Sequence, residues 1–266
     1  MISLGGNVCV RNGNSLDYCW RESVKSLLPI CDSVVVCDGE SDDGTQDEIR
    51  TWSETEPKIK LCVYSWPNPC GDVDFWVKWL NYAREHLGTD YHIQLDADEV
   101  LSERSYPIIS ELMRRAESER LSVWCTRYNF WRDAQHLVPH GVCCGHKVVR
   151  IAPQSVWLPS DGPHPRGAQA VQLAIDSQVE IFHYGFLRER SAFFKKAKSL
   201  HSYFFNTYDS RLVAAEERTR ILVAENKPGN WMDHCDMEWI DKLIPYHGPH
   251  PAIMESWFGK RGLTFV

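Results

Sequence analysis

The chain has 266 residues, 43% hydrophobic and 24% charged, and a formal net charge of −7 with histidine neutral. That composition excludes a disordered, collagenous or coiled-coil chain, and the length suffices for a sizeable core. The acidic balance disfavours bulk polyanion binding but leaves room for a local basic patch. No apolar run approaches the roughly 20 residues of a membrane helix. Residues 1–7 lack the basic and apolar regions of a signal peptide. The expectation is a cytoplasmic protein, with the inner membrane face as a peripheral location and no obligate protein partner. None of the ten cysteines forms a C-x-x-C pair, so a zinc ribbon is not expected. They read as reduced, mostly buried small apolar residues.

The first hundred residues alternate strand and helix text. Asn7-Val8-Cys9-Val10 reads as a strand. Ser15 is placed to cap a helix with Leu16, Trp20, Val24, Leu27 and Leu28 at helical spacing, stopped by Pro29. Ser33 to Cys37 is a β-branched strand. Thr45 to Glu48 has the form of a capping box for a helix to about residue 52. Leu61 to Tyr64 is a third strand. A helix from Asp74 to His86 buries Trp76, Trp79, Leu80 and Ala83. Tyr91 to Leu95 is a fourth strand. This order predicts a mostly parallel sheet flanked by helices, with ligands beyond the carboxyl ends of its strands.

Two acidic clusters fall at those ends. The second strand runs into Asp38-Gly39-Glu40-Ser41-Asp42-Asp43-Gly44-Thr45, and the fourth into Asp96-Ala97-Asp98-Glu99. Carboxylates are poor core residues unless paired. Asp96 and Asp98, two apart, would reach one hard divalent cation, Mn²⁺ or Mg²⁺. As a bland alternative, they form a solvated turn that caps the next helix. Asp38 at its strand end would accept a nucleobase N–H.

The text from Val34 to Thr45 resembles the V-D-x-x-S-x-D-x-T segment of family-2 glycosyltransferases. Ile93 to Glu99 is similar to their L-D-A-D-E motif, and Asn81 to the helix asparagine that precedes it. Residues 7–12 match their first strand. The resemblance covers about residues 5–105 and implies the GT-A fold: a Rossmann-like α/β domain with a mostly parallel sheet and a C-terminal acceptor-side helical extension. Residues 1–128 would form the nucleotide-sugar half and 129–266 the acceptor half of one catalytic domain. The resemblance implies a nucleotide-sugar donor, commonly a UDP-sugar. Val10, Arg11, Asp38, Glu40, Asn81 and Asp96 would lie on the donor, and Asp96 and Asp98 on the metal. Arg11 departs from the family's usual small or polar residue.

The second half is less regular. Ser105 is placed to cap a helix with Ile108, Ile109, Leu112, Met113 and Ala116 inward, and Ser122 to Tyr128 is a strand. Val179 to Gly185 is a strand whose His183 resembles a family histidine near the metal or diphosphate. A base must take the acceptor's proton; Asp161 and His164 are the candidates, because the family's His-Glu pair is replaced here by His164-Pro165. Residues 186–201 read as a helix carrying Arg188, Arg190, Lys195, Lys196 and Lys198 against Glu189. They form either a solvated face or a surface for diphosphate, an anionic acceptor or lipid. The stretch 231–265 is expected to pack on the main domain or to close as a lid.

These readings converge on a metal-dependent, inverting sugar transfer to a glycan or glycolipid hydroxyl. DNA with hydroxymethylated bases is the alternative acceptor. Nucleotidyl transfer and an inactive nucleotide-sugar-binding module are the other readings left open.

Overall fold

The computed structural model describes residues 2–66, 75–116, 121–140, 146–158, 168–189, 191–193, 195–196 and 240–263. Four parallel strands form one half of its sheet, in the order β3 (Ile59–Val63), β2 (Ser33–Asp38), β1 (Leu4–Val10), β4 (Tyr91–Asp96). Every residue of β1 is buried, as a strand paired on both edges and covered on both faces must be. Helices α1 (Trp20–Leu27) and α2 (Thr45–Thr55) supply Trp20, Val24, Leu27 and Ile49 to one face, against Val8, Val34, Val36 and Leu95. Helix α3 (Phe75–Glu85) lays Phe75, Trp79, Leu80 and Ala83 on the other, against Cys9, Val35, Cys37 and Cys62. Glycines in β1 let both layers close. A Cβ at Gly6 would stand 2.9 Å from Leu27 Cδ1, and one at Gly5 2.8 Å from Leu87 Cδ2.

Beyond β4 the sheet becomes mixed. β8 (Lys147–Pro153) runs antiparallel to β4, and β6 (Ser122–Trp131) antiparallel to β8. β9 (Ala174–Phe186) lies parallel to β6 and antiparallel to β5 (Glu99–Leu101). The short strands β7 (His136–Leu137) and β10 (Ile244–Pro245) close the far edge. Helix α4 (Tyr106–Arg115) buries Ile109, Leu112 and Met113. Helix α5 spans Ala168–Gln172, and α6 spans Glu255–Gly259. Met254, Trp257 and Phe258 pack with Cys19, Phe130 and Tyr184, so this part of the C-terminal segment joins the core. Residues 197–239 of the acceptor-side half lie outside the described residues. Cys9, Cys19, Cys31, Cys37, Cys62 and Cys125 are free and buried, as expected.

None of the three expected capping bonds is made by the residue that spacing assigns to it. Helix α1 starts at Trp20, so Ser15 caps nothing; its backbone N–H donates to Asp43 Oδ2 at 2.7 Å. At α2 the role given to Thr45 falls to Asp43, whose Oδ1 accepts from Thr45 N and Oγ1 at 3.1 and 2.6 Å. Before α4, Ser102 accepts from Arg104 N, while Ser105 Oγ accepts from Glu180 N at 2.8 Å. At Thr45 and Ser105 a backbone N–H from elsewhere in the chain, Asn14 N and Glu180 N, takes the side-chain oxygen that spacing assigns to the helix.

His92, on β4, is fully buried; burial and the nearby Arg84 cation push its imidazole down to about 3. An unfolded histidine titrates near 6.5, so the folded chain keeps His92 neutral where the unfolded chain takes up a proton. Its contribution to stability is complete above about pH 6.5 and is lost as the pH falls toward the folded value. Urea denaturation of His92→Gln is expected to show a shallower loss of stability than wild type between about pH 6.5 and pH 4. Equal slopes would show that His92 does not set it.

Candidate active site

The strand order reverses direction at β1: β2 and β3 lie on one side of it and β4 on the other. In open α/β sheets that is where a crevice forms beyond the carboxyl ends. The register puts both acidic clusters there, with Val10 opposite Asp38 and Cys9 opposite Asp96.

On the β2 side, Asp38 is fully buried. Its Oδ2 accepts from Ser41 N at 2.8 Å and Gln46 Nε2 at 2.9 Å. Its Oδ1 is buried with no hydrogen-bond partner among the described residues. Leaving a buried polar atom unmet costs about 1–3 kcal/mol, more if charged, so a ligand N–H there is favoured. Around it, Gly39 N donates to Val10 O, and Arg11 Nε to Gly39 O at 2.9 Å. The Arg11 guanidinium stacks over the Trp66 ring at 4.7 Å. Glu40 adopts φ +55°, and its Oε2 accepts from Trp66 N at 2.9 Å. The loop after β1 is laced to the loop after β2 by Asn12 N to Ser41 Oγ and Asp42 N to Asn12 Oδ1. Gln46 and Trp66 carry no sequence signal of this role.

Asn81, expected on the donor, points into α3 instead. Its Nδ2 donates to Val77 O at 2.7 Å, and its Oδ1 accepts from Arg84 Nε at 3.0 Å.

On the β4 side the carboxylates are held by cations. Glu99 is completely buried; its Oε1 accepts from Arg127 Nη1 at 2.9 Å and Arg150 Nη2 at 2.8 Å, and its Oε2 from Arg150 Nε at 3.0 Å. The same Arg150 donates to Asp96 Oδ2 at 2.8 Å. Asp98, 4% exposed, receives Arg188 Nη2 at 2.7 Å and Lys196 Nζ at 2.8 Å, both on Oδ2. His183 Nε2 stands 3.5 Å from Asp98 Oδ1, and its buried Nδ1 has no hydrogen-bond partner among the described residues. Burial would raise the Asp98 carboxyl, but Lys196, His183 and Arg188 outweigh it and hold it well below the carboxylate range.

The expected metal centre of Asp96, Asp98 and His183 therefore does not match the arrangement. Oxygen ligands for Mn²⁺ or Mg²⁺ must converge on one point. Here Asp96 extends to Arg150, and Asp98 to Arg188 and Lys196. Among the described residues, no group of three or more His, Cys, Asp or Glu could hold a metal ion. The residues as placed do not fit the dication, because side-chain cations already neutralise its ligands. Sequence spacing showed the carboxylates but not Arg150, which arrives from β8.

Arg188 also corrects the expectation of a solvated basic face: it is buried and bonded to Gly185 O and Leu16 O, both at 2.7 Å. Arg190 and Lys198 lie outside the described residues, as do the candidate bases Asp161 and His164. The close approach of His183 and Asp98 requires Gly185. A Cβ there would meet His183 Nε2 and stand 2.7 Å from Asp98 Oδ2. Gly185→Ala is expected to cost about 1–3 kcal/mol by overpacking, read by urea denaturation. An unchanged midpoint would show that the cluster has room.

No protein-family model matches this sequence, and no curated protein sequence matches it. Among solved structures, the chain is similar to TarS of S. aureus, with TM-score 0.46 and 11% identity over 83% of this chain. This chain covers 44% of that one. It is similar to the mannosyltransferase PcManGT from Pyrobaculum calidifontis, solved with GDP-Man and Mn²⁺, with TM-score 0.48, 16% identity, 86% of this chain and 65% of that one. A putative glucose-1-phosphate thymidylyltransferase from Bacillus anthracis gives TM-score 0.43 and 10% identity, over 72% of this chain and 94% of that one. Among the described residues, no helix is long and apolar enough to cross a membrane.

Proposed function

We propose that this chain is a glycosyltransferase that takes a sugar from a nucleotide-sugar donor, a UDP-sugar in the first instance, and passes it to the hydroxyl of a saccharide or lipid-linked saccharide. The observation that carries this reading is Asp38. Its Oδ2 is fixed by Ser41 and Gln46, and its buried Oδ1 has no donor among the described residues. A carboxylate oxygen so placed suits the N–H of a nucleobase, and the Arg11–Trp66 pair beside it offers a flat wall. The sequence resemblance puts a base-binding aspartate at the same position.

In this reading the diphosphate lies toward the β4 side, and the sugar toward the acceptor half. Transfer is inverting: the acceptor oxygen attacks the anomeric carbon as the diphosphate leaves. The hydroxyl's proton passes to Asp161, with His164 as the alternative base. The test is turnover. Incubated with a panel of nucleotide sugars and saccharide acceptors, the protein is expected to release a nucleoside diphosphate. Release of pyrophosphate from a nucleoside triphosphate and a sugar 1-phosphate would replace this reading with nucleotidyl transfer. Binding without release would make the chain a nucleotide-sugar-binding module.

A further inference from the structure

We propose that Lys196, held by Asp98 and resting on Tyr18, is the counter-charge for the donor's diphosphate, so that the nucleotide binds without a divalent cation. This rests on the donor reading above and goes beyond it. Four cationic side chains, Arg127, Arg150, Arg188 and Lys196, meet three carboxylates, Asp96, Asp98 and Glu99, at this strand edge. The cluster therefore already favours an anion. A dication would have to displace two cations from Asp98.

Arg188 cannot yield easily. Three of its nitrogens are committed, to Asp98 Oδ2, Gly185 O and Leu16 O, and its guanidinium lies 4.3 Å from the centre of the Tyr18 ring. Lys196 differs. Its Nζ has three N–H donors, one directed to Asp98, and it rests 4.9 Å from the same Tyr18 ring. Its side chain is 22% exposed, against 1% for Arg188 and 6% for Asp98. Lys196 is thus the cation of the cluster that reaches outward. Asp98 holds it, and Tyr18 ties it to the loop after β1, which borders Asp38 on its other side. Buried His183 Nδ1 is a second polar atom at the same place with no partner among the described residues.

The test is calorimetric titration of the protein with UDP and with GDP, in excess EDTA and in excess MnCl₂. Whichever nucleotide binds is expected to do so in EDTA with a Kd within about threefold of its value in MnCl₂. In EDTA, Lys196→Ala is expected to weaken binding about tenfold or more, the loss of a charge-assisted contact, and Lys196→Arg to recover most of it. Lys196 is partly exposed, so both variants should keep the wild-type melting temperature within a few degrees. Binding only in MnCl₂, or Lys196→Ala binding as wild type in EDTA, overturns the proposal and leaves the donor reading standing. No binding of either nucleotide under either condition overturns both.

Discussion

Glu99→Gln is expected to destabilise the protein by about 3–5 kcal/mol, the usual cost of removing one partner from a buried ion pair. Glu99 has no exposed surface, and two guanidiniums, from Arg127 and Arg150, converge on its carboxylate. Glutamine keeps the shape but brings an NH₂ group against those donors and removes the charge that both arginines share, while Arg150 keeps its ion pair with Asp96. For a domain of this size the loss corresponds to a fall in melting temperature of roughly 10 °C. The double variant Glu99→Leu with Arg127→Met should lose less than Glu99→Gln alone, because it removes Arg127 together with the carboxylate and leaves Arg150 its ion pair with Asp96. Calorimetry of the three proteins checks this. A Glu99→Gln melting temperature within about 2 °C of wild type would mean that the strand edge is wetter than its burial indicates.

Asp38→Asn is expected to weaken nucleotide binding by about 10- to 100-fold, the cost of a charge-assisted hydrogen bond of about 1.5–3 kcal/mol. The amide can satisfy Ser41 N and Gln46 Nε2 only by turning its oxygen toward them. Its NH₂ then faces the base N–H, donor against donor. The fold should survive, since both protein hydrogen bonds are kept; the expected change in stability is about 1 kcal/mol or less. Titration with UDP, paired with urea denaturation, separates the two effects. Equal affinity for wild type and variant would remove Asp38 from the base site.

Most of the fold was legible because the parallel half follows simple periodic rules. The β-branched run Val34-Val35-Val36 marked β2, and the apolar spacing of Trp76, Trp79, Leu80 and Ala83 marked α3, each within one or two residues of the observed bounds. The strand ends followed from the alternation, and with them Asp38 and Asp96. Caps were misplaced where Ser15, Thr45 and Ser105 found partners distant in sequence or in the adjoining turn. β5, β7, β8 and β10 were not foreseen. The three short ones carry too little pattern, and β8 falls in a stretch dominated by His, Pro and Gly. The ionic half of the site was illegible for the same reason. Arg150 sits 54 residues from Asp96, and Lys196 98 residues from Asp98. No local spacing ties a carboxylate to a cation that the sheet brings in from another strand.

The most direct measurement is a crystal structure of the protein with bound UDP. The account predicts a uracil N–H within about 2.7–3.2 Å of Asp38 Oδ1, with the ring against Arg11 and Trp66. A nucleotide bound elsewhere on the molecule, or a protein donor filling that oxygen while the base turns away, would contradict it.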